Sequence, residues 1–145
     1  MKKGFTLMET VVALGVILVI VLAFHASANF FRSAHQRTMA TNFGILQVEN
    51  IKSIFDASTF KSTDLFGDFN ANLESIFAEI ITSQTATTFD FQITTTLDGG
   101  EVANGEVVCN FGIAVAQNWA TLSATVQFKN KILFELQPYQ KVVEV

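Results

Sequence analysis

The sequence predicts an α+β protein: a long amino-terminal helix, apolar through its first half, packed on a four-stranded antiparallel β-sheet. Three observations predict it. Val11 to Phe24 carries no polar side chain. Ile45, Val48, Ile51 and Phe55, flanked by Leu46 and Ile54, recur at the spacing of one helical face. From Thr87 onward the apolar period changes to two, the signature of strands with one face buried.

The helix comes first. Phe5 to Phe24 is apolar apart from Thr6, Glu9 and Thr10, and about 20 helical residues span the roughly 30 Å of a hydrocarbon layer. No proline interrupts the chain between Phe24 and Phe55, so one helix is expected from Phe5 to about Phe55, roughly 75 Å long. Its second half offers an apolar stripe to a globular head and turns Gln47, Glu49, Asn50 and Lys52 outward. Gly44 inside it costs about 1 kcal/mol relative to alanine, which close packing would explain.

Asp56 to Asn70 is rich in turn residues and reads as a connector. Leu73, Ile76, Phe77 and Ile80 then predict a short helix, capped by Asn70 or Asn72. The strands come next: Phe89, Phe91 and Ile93; Val107, Cys109 and Phe111; Leu122, Ala124, Val126 and Phe128; Ile132, Phe134 and Leu136. Turns are expected at Asp98-Gly99-Gly100, Asn104-Gly105, Gln117-Asn118 and Lys129-Asn130-Lys131.

The formal net charge of −4 and the lack of a basic run disfavour nucleic acid as a partner. Cys109 is the single cysteine, so no internal disulfide forms, and its place in a strand marks a small buried hydrophobe. Asp68, Asn70, Asn72 and Glu79 match alternate oxygen positions of a calcium loop, but Leu73 stands where such a loop wants glycine. The same residues suit a capped amphipathic helix. His25 and His35 have no partner at metal-ligand spacing. Arg32, His35 and Arg37 form a small basic collar for lipid headgroups, for acids of a neighbouring chain, or for water. Trp119, Tyr139 and the Phe89–Phe91 strand are aromatic surface or core. No nucleophile elbow or phosphate-cradling loop is present, so neither an enzyme nor a cofactor is expected.

Glu9 is the residue out of place. A carboxylate carried toward a bilayer core costs at least about 2.5 kcal/mol unless something neutralises it. A signal-peptide reading takes Met1 to Lys3 as the positive region and Ala26-Ser27-Ala28 as the cleavage site, and releases a soluble α+β binding domain after Ala28. It leaves Glu9 without a purpose. Lys2-Lys3-Gly4-Phe5-Thr6-Leu7-Met8-Glu9 instead resembles the prepilin signature of the type IV pilin family: a short basic leader ending in glycine, then phenylalanine, with glutamate at the fifth mature position.

The resemblance covers the leader and the first part of the helix. It implies that prepilin peptidase cuts between Gly4 and Phe5 and methylates the new amine. It also implies that Phe5 and Glu9 join subunits, the carboxylate of one meeting the terminal amine of its neighbour. The implied organisation is a leader at 1–4, a transmembrane and filament-core helix at 5–28, its amphipathic continuation at 29–56, a connector with a short helix at 57–86, and sheet at 87–145. The implied partners are other pilin subunits, the peptidase, an inner-membrane assembly platform and, before assembly, lipid. The chain would sit in the inner membrane with its head outside the cytoplasm, then in a pilus or a type II secretion filament. Thr-Leu-Met-Glu-Thr-Val-Val-Ala-Leu resembles the start of minor pilins and pseudopilins, T-L-x-E-x-x-V-A-L. Two family features are missing: a proline near His25 and Ala26, and the paired cysteines of the carboxy-terminal region.

Overall fold

A computed structural model describes residues 6–77, 80–97 and 105–145. Its elements are helices α1 (Leu7–Ala57) and α2 (Gly67–Ile76), followed by strands β1 (Ile81–Gln84), β2 (Thr88–Leu97), β3 (Gly105–Ala116), β4 (Trp119–Phe128) and β5 (Lys131–Val142). The chain divides into two compact units, Met1–Gln36 and Arg37–Val145. The first is the apolar part of α1. In the second, the rest of α1 packs on an antiparallel meander ordered β1-β2-β3-β4-β5. The α+β architecture is therefore as the sequence predicts, with five strands rather than four.

The extra strand, β1, has the sequence Ile-Thr-Ser-Gln and pairs with the Phe89–Gln92 stretch of β2. Four residues with one apolar side chain give no period to read. Its turn also lacks glycine, proline and asparagine. A threonine hydroxyl and a backbone bond build it instead: Thr88 N donates to Thr85 Oγ1 at 3.0 Å, and Thr85 N donates to the Thr88 carbonyl at 2.8 Å. The Lys129–Asn130 turn is as expected, both residues having positive φ (50° and 61°), as a two-residue hairpin loop requires. Asp98, Gly99, Gly100 and Asn104 lie outside the described residues.

The buried stripe of α1 runs through Ala40, Gly44, Val48, Ile51 and Phe55, with Ile54 beside it. Ile45 and Leu46, expected on the inner face, are exposed. The reason is Gly44. A Cβ there would lie 2.5 Å from Val126 Cγ1 and 3.2 Å from Phe134 Cε1, so the helix backbone rests directly on β4 and β5. Ile45, about 100° further round the helix, is turned away. Ile132 is likewise exposed, because the β4–β5 register shifts between Val126 and Gln127 and sets Ile132 opposite Gln127 on the outer face.

Aromatic rings link helix to sheet. Phe111 stacks on Phe91 at 5.0 Å, and a chain of contacts continues through Phe69 and Phe60 to Phe55, whose ring meets Tyr139 at 5.9 Å. Each such pair contributes about 0.5–1.5 kcal/mol beyond its buried area. The head thus holds together without a disulfide. Cys109 is fully buried in this core, and burial pushes its thiol up to about 11, which makes it a packing group rather than a nucleophile.

The connector is tied at both ends. Helix α1 has no basic residue in its last turn; Lys141 of β5 supplies the charge, its Nζ donating to the carbonyls of Ser58 at 2.7 Å and Asp56. Glu144 N donates to Phe60 O at 2.7 Å, and Ser62 N to Glu144 O at 3.0 Å, strapping the carboxy terminus over the connector. Helix α2 begins at Gly67, earlier than expected, with Asp64 Oδ1 accepting from Gly67 N at 3.1 Å. Asn70 and Asn72 consequently lie inside α2 and cap nothing.

Two outcomes are expected. The side chain of Val126 is β-branched, fully buried and unable to yield, so Gly44→Ala should lose about 1–2 kcal/mol of head stability despite the gain in helix propensity. Combined with Val126→Ala, it should cost less than the two changes summed, by about 1 kcal/mol. Urea unfolding of the full chain in micelles, followed by Trp119 fluorescence, reads both; additive costs would contradict the close approach. The second concerns Asp68, whose carboxylate accepts from Thr59 N at 2.7 Å and Thr59 Oγ1 at 3.2 Å. These bonds, aided by Lys61 and Lys141, hold it below the ordinary carboxylate value. A depressed folded pKa stabilises above the unfolded value and ceases to do so as pH falls through the folded one. Asp68→Asn should therefore be less stable than the wild type at neutral pH, the gap closing below about pH 4.

Candidate functional site

The site that the sequence singles out is the start of α1. Gly4 and Phe5 lie outside the described residues. Thr6 precedes the first helical residue, Leu7, and Glu9 occupies the third helical position. Between them they form a capping box: Thr6 N donates to Glu9 Oε2 at 2.9 Å, while Glu9 N donates to Thr6 Oγ1 at 3.4 Å. The Thr6 hydroxyl also donates to Glu9 Oε2, at 3.1 Å. Two amides that every helix start leaves orphaned are thus satisfied. Among the described residues, Glu9 Oε1 receives no donor.

The same provision runs along the apolar part of α1. Thr10 Oγ1 donates to Leu7 O at 2.8 Å and Ser27 Oγ to Ala23 O at 2.9 Å, so these hydroxyls are spent on their own helix. A helix facing lipid requires this, since hydrocarbon offers no partner for a polar group. Around them the side chains from Leu7 to Phe24 are exposed, and this is the one described helix long and apolar enough to cross a membrane.

Apolar exposure does not stop where a bilayer would. Within the first unit Phe30 and Phe31 are each 70% exposed, their rings in edge contact at 6.1 Å. Within the second, Met39 and Leu46 are 46% and 54% exposed and, seven residues apart, share one face of the helix. His25, Arg32, His35 and Arg37 are all exposed.

The structure does not bring the calcium candidates together. Asp68 is engaged by Thr59, Asn70 Nδ2 donates to Glu74 Oε1 at 2.9 Å, and Asn72 Nδ2 donates to Ser58 Oγ at 2.9 Å. All three are on α2, where residues two apart are turned by about 200°; Glu79 lies outside the described residues. Among the described residues no group of three or more His, Cys, Asp or Glu side chains is placed to hold a metal. Trp119 is half exposed at the start of β4, whereas Tyr139 packs against Phe55, its phenol raised by a hydrogen bond to Asp56.

Sequence reasoning passed over Thr6 and Lys141. The first had a signal, since Thr-x-x-Glu ahead of an apolar run is a capping box in sequence. Lys141 had none, because only the fold carries β5 to the end of α1. These features define a class: an α+β protein whose amino-terminal helix is long and apolar enough to cross a membrane and begins with a capping box. No protein-family model, curated protein or solved structure matches the chain.

Thr6→Val removes the hydroxyl at nearly constant volume. It should cost the helix start about 1 kcal/mol, read as faster hydrogen exchange of the Glu9 amide by about fivefold. Thr6→Ser, which retains the box, should leave exchange near the wild-type rate.

Proposed function

We propose that this chain is a subunit of a type IV pilus or of a related type II secretion filament, a minor pilin or pseudopilin. It is matured by prepilin peptidase and assembled through α1. The observation that carries this reading is the reach of exposed apolar surface along α1. A bilayer accounts for about 20 helical residues. Phe30 and Phe31, and then Met39, Ile45 and Leu46, lie beyond that allotment and remain exposed. Exposed apolar surface of this extent marks an association site, and helices of neighbouring subunits would cover it.

Glu9 fits the same reading. Its Oε2 is taken by Thr6, which fixes the carboxylate at the helix start and leaves Oε1 for a cation. A cut after Gly4 would create an ammonium on Phe5, four residues before Glu9 in the sequence. Placed in apolar surroundings, carboxylate and ammonium attract one another strongly and offset part of each other's desolvation cost, within one chain or across two. Before assembly the chain would be a single-span protein of the inner membrane with its head outside the cytoplasm. It would meet the peptidase and the assembly platform there, and lipid would cover α1.

Intact mass of the matured protein tests the processing step. A chain beginning at methylated Phe5 is expected, and one beginning at Asn29 would replace this reading with a released soluble domain. Glu9→Ala should still be trimmed after Gly4 but enter filaments more than about tenfold less, a loss of about 1.4 kcal/mol or more. Normal incorporation of that variant would refute the role given to Glu9.

A further inference from the structure

The outer face of the sheet, away from α1, has a composition that solvation alone does not require. Along β2, β3 and β4 that face carries Asp90 and Glu106 as its charges and no lysine or arginine. Two rows of neighbours cross the strands at its centre. Ser83, Asp90, Gly112 and Ser123 are successive register partners, and so are Gln92, Asn110 and Thr125. They line a shallow depression of about 410 Å³, within the range of about 300–1,000 Å³ typical of small-molecule sites.

Gly112 makes the depression. A Cβ there would lie 2.8 Å from Asp90 Oδ1 and 3.2 Å from Ser123 Oγ, so a side chain would fill the notch between these two oxygens. Gln92, Asn110 and Thr125 are half-buried beside it. Among the described residues, none of these three side chains forms a hydrogen bond. Each amide offers one acceptor oxygen and two donor hydrogens, and Asp90 offers acceptors alone. Trp119 lies on the same face of β4, four residues from Ser123 or about 13 Å along the strand, and its indole is half exposed.

We propose that this face binds a neutral glycan. Adjacent carboxylate and amide groups match the paired donors and acceptors of vicinal hydroxyls, and the flat indole suits the C–H face of a sugar ring. With Asp90 at its centre and no lysine or arginine lining it, the depression rejects phosphate, sulfate and sialic acid. The distance from Gly112 to Trp119 calls for an oligosaccharide rather than a single ring. The site is independent of how the amino terminus is processed.

The test uses the full chain in a phosphocholine detergent, because a maltoside would compete. Maltotriose, chitotriose and N-acetyllactosamine are titrated as neutral probes, with sialyllactose and a heparin-derived oligosaccharide as anionic ones, by Trp119 fluorescence and calorimetry. At least one neutral probe should bind, and the anionic probes should not. Gly112→Ser, which pushes on the side-chain ends of Asp90 and Ser123, and the isosteric Asp90→Asn should each weaken binding about tenfold with the urea midpoint unchanged. Trp119→Ala, followed by calorimetry, should weaken it as well. The proposal fails if no neutral probe binds, if an anionic probe binds more tightly, or if Gly112→Ser and Asp90→Asn bind like the wild type.

Discussion

The missing Cβ of Gly44 fixes how the head is built. With Val126 and Phe134 pressed against the helix backbone, one rotation of α1 about its axis is allowed, and that rotation decides which side chains face the sheet. Ala40 on one side of Gly44, and Val48, Ile51 and Phe55 on the other, are buried along the same stripe. A larger residue at position 44 would hold helix and sheet apart and open space along the whole stripe. The local cost of glycine in a helix, about 1 kcal/mol, is small beside the dispersion attraction that such a gap would forfeit.

That rotation has a second effect. Turning Gly44 inward turns Ile45, Leu46 and Met39 outward, so the head leaves large apolar side chains uncovered on α1. A soluble domain usually hides such residues, and here they follow from the requirement that helix and sheet touch. In the proposed filament the uncovered face is what a neighbouring helix would take up. One glycine would then serve both the fold and the assembly.

Much of this was legible in the sequence because it rests on period. The apolar run, the change to alternation after Thr87 and the turns at Gln117 and Lys129 are local patterns, and local patterns fix elements. Cys109 could be assigned to the core for the same reason. What was not legible depends on pairs brought together by the fold. Ile132 reads as inward until a register shift opposite Val126 and Gln127 turns it out. Strand β1 exists through the backbone bonds β2 offers it, and Lys141 caps α1 from a distance of more than eighty residues of chain. Asp68, Asn70 and Asn72 look like a ligand set only while the segment is imagined as a loop; as helix α2 they separate. Thr6 was legible, but Glu9 drew attention to charge pairing and away from capping.

The cap observed at Glu9 is compatible with the assembly role proposed for it. A free carboxylate on a flexible side chain would have to be ordered as well as desolvated to meet a cation in an apolar layer, and both cost free energy. Held by Thr6 N and Thr6 Oγ1 through a single oxygen, the group is already ordered and partly neutralised, while the other oxygen has no donor among the described residues. It also sits where the helix end is electropositive, so its charge is tolerated before any partner arrives. In the proposed filament the cap therefore orients the carboxylate, and the terminal ammonium supplies the charge that the cap's neutral donors lack.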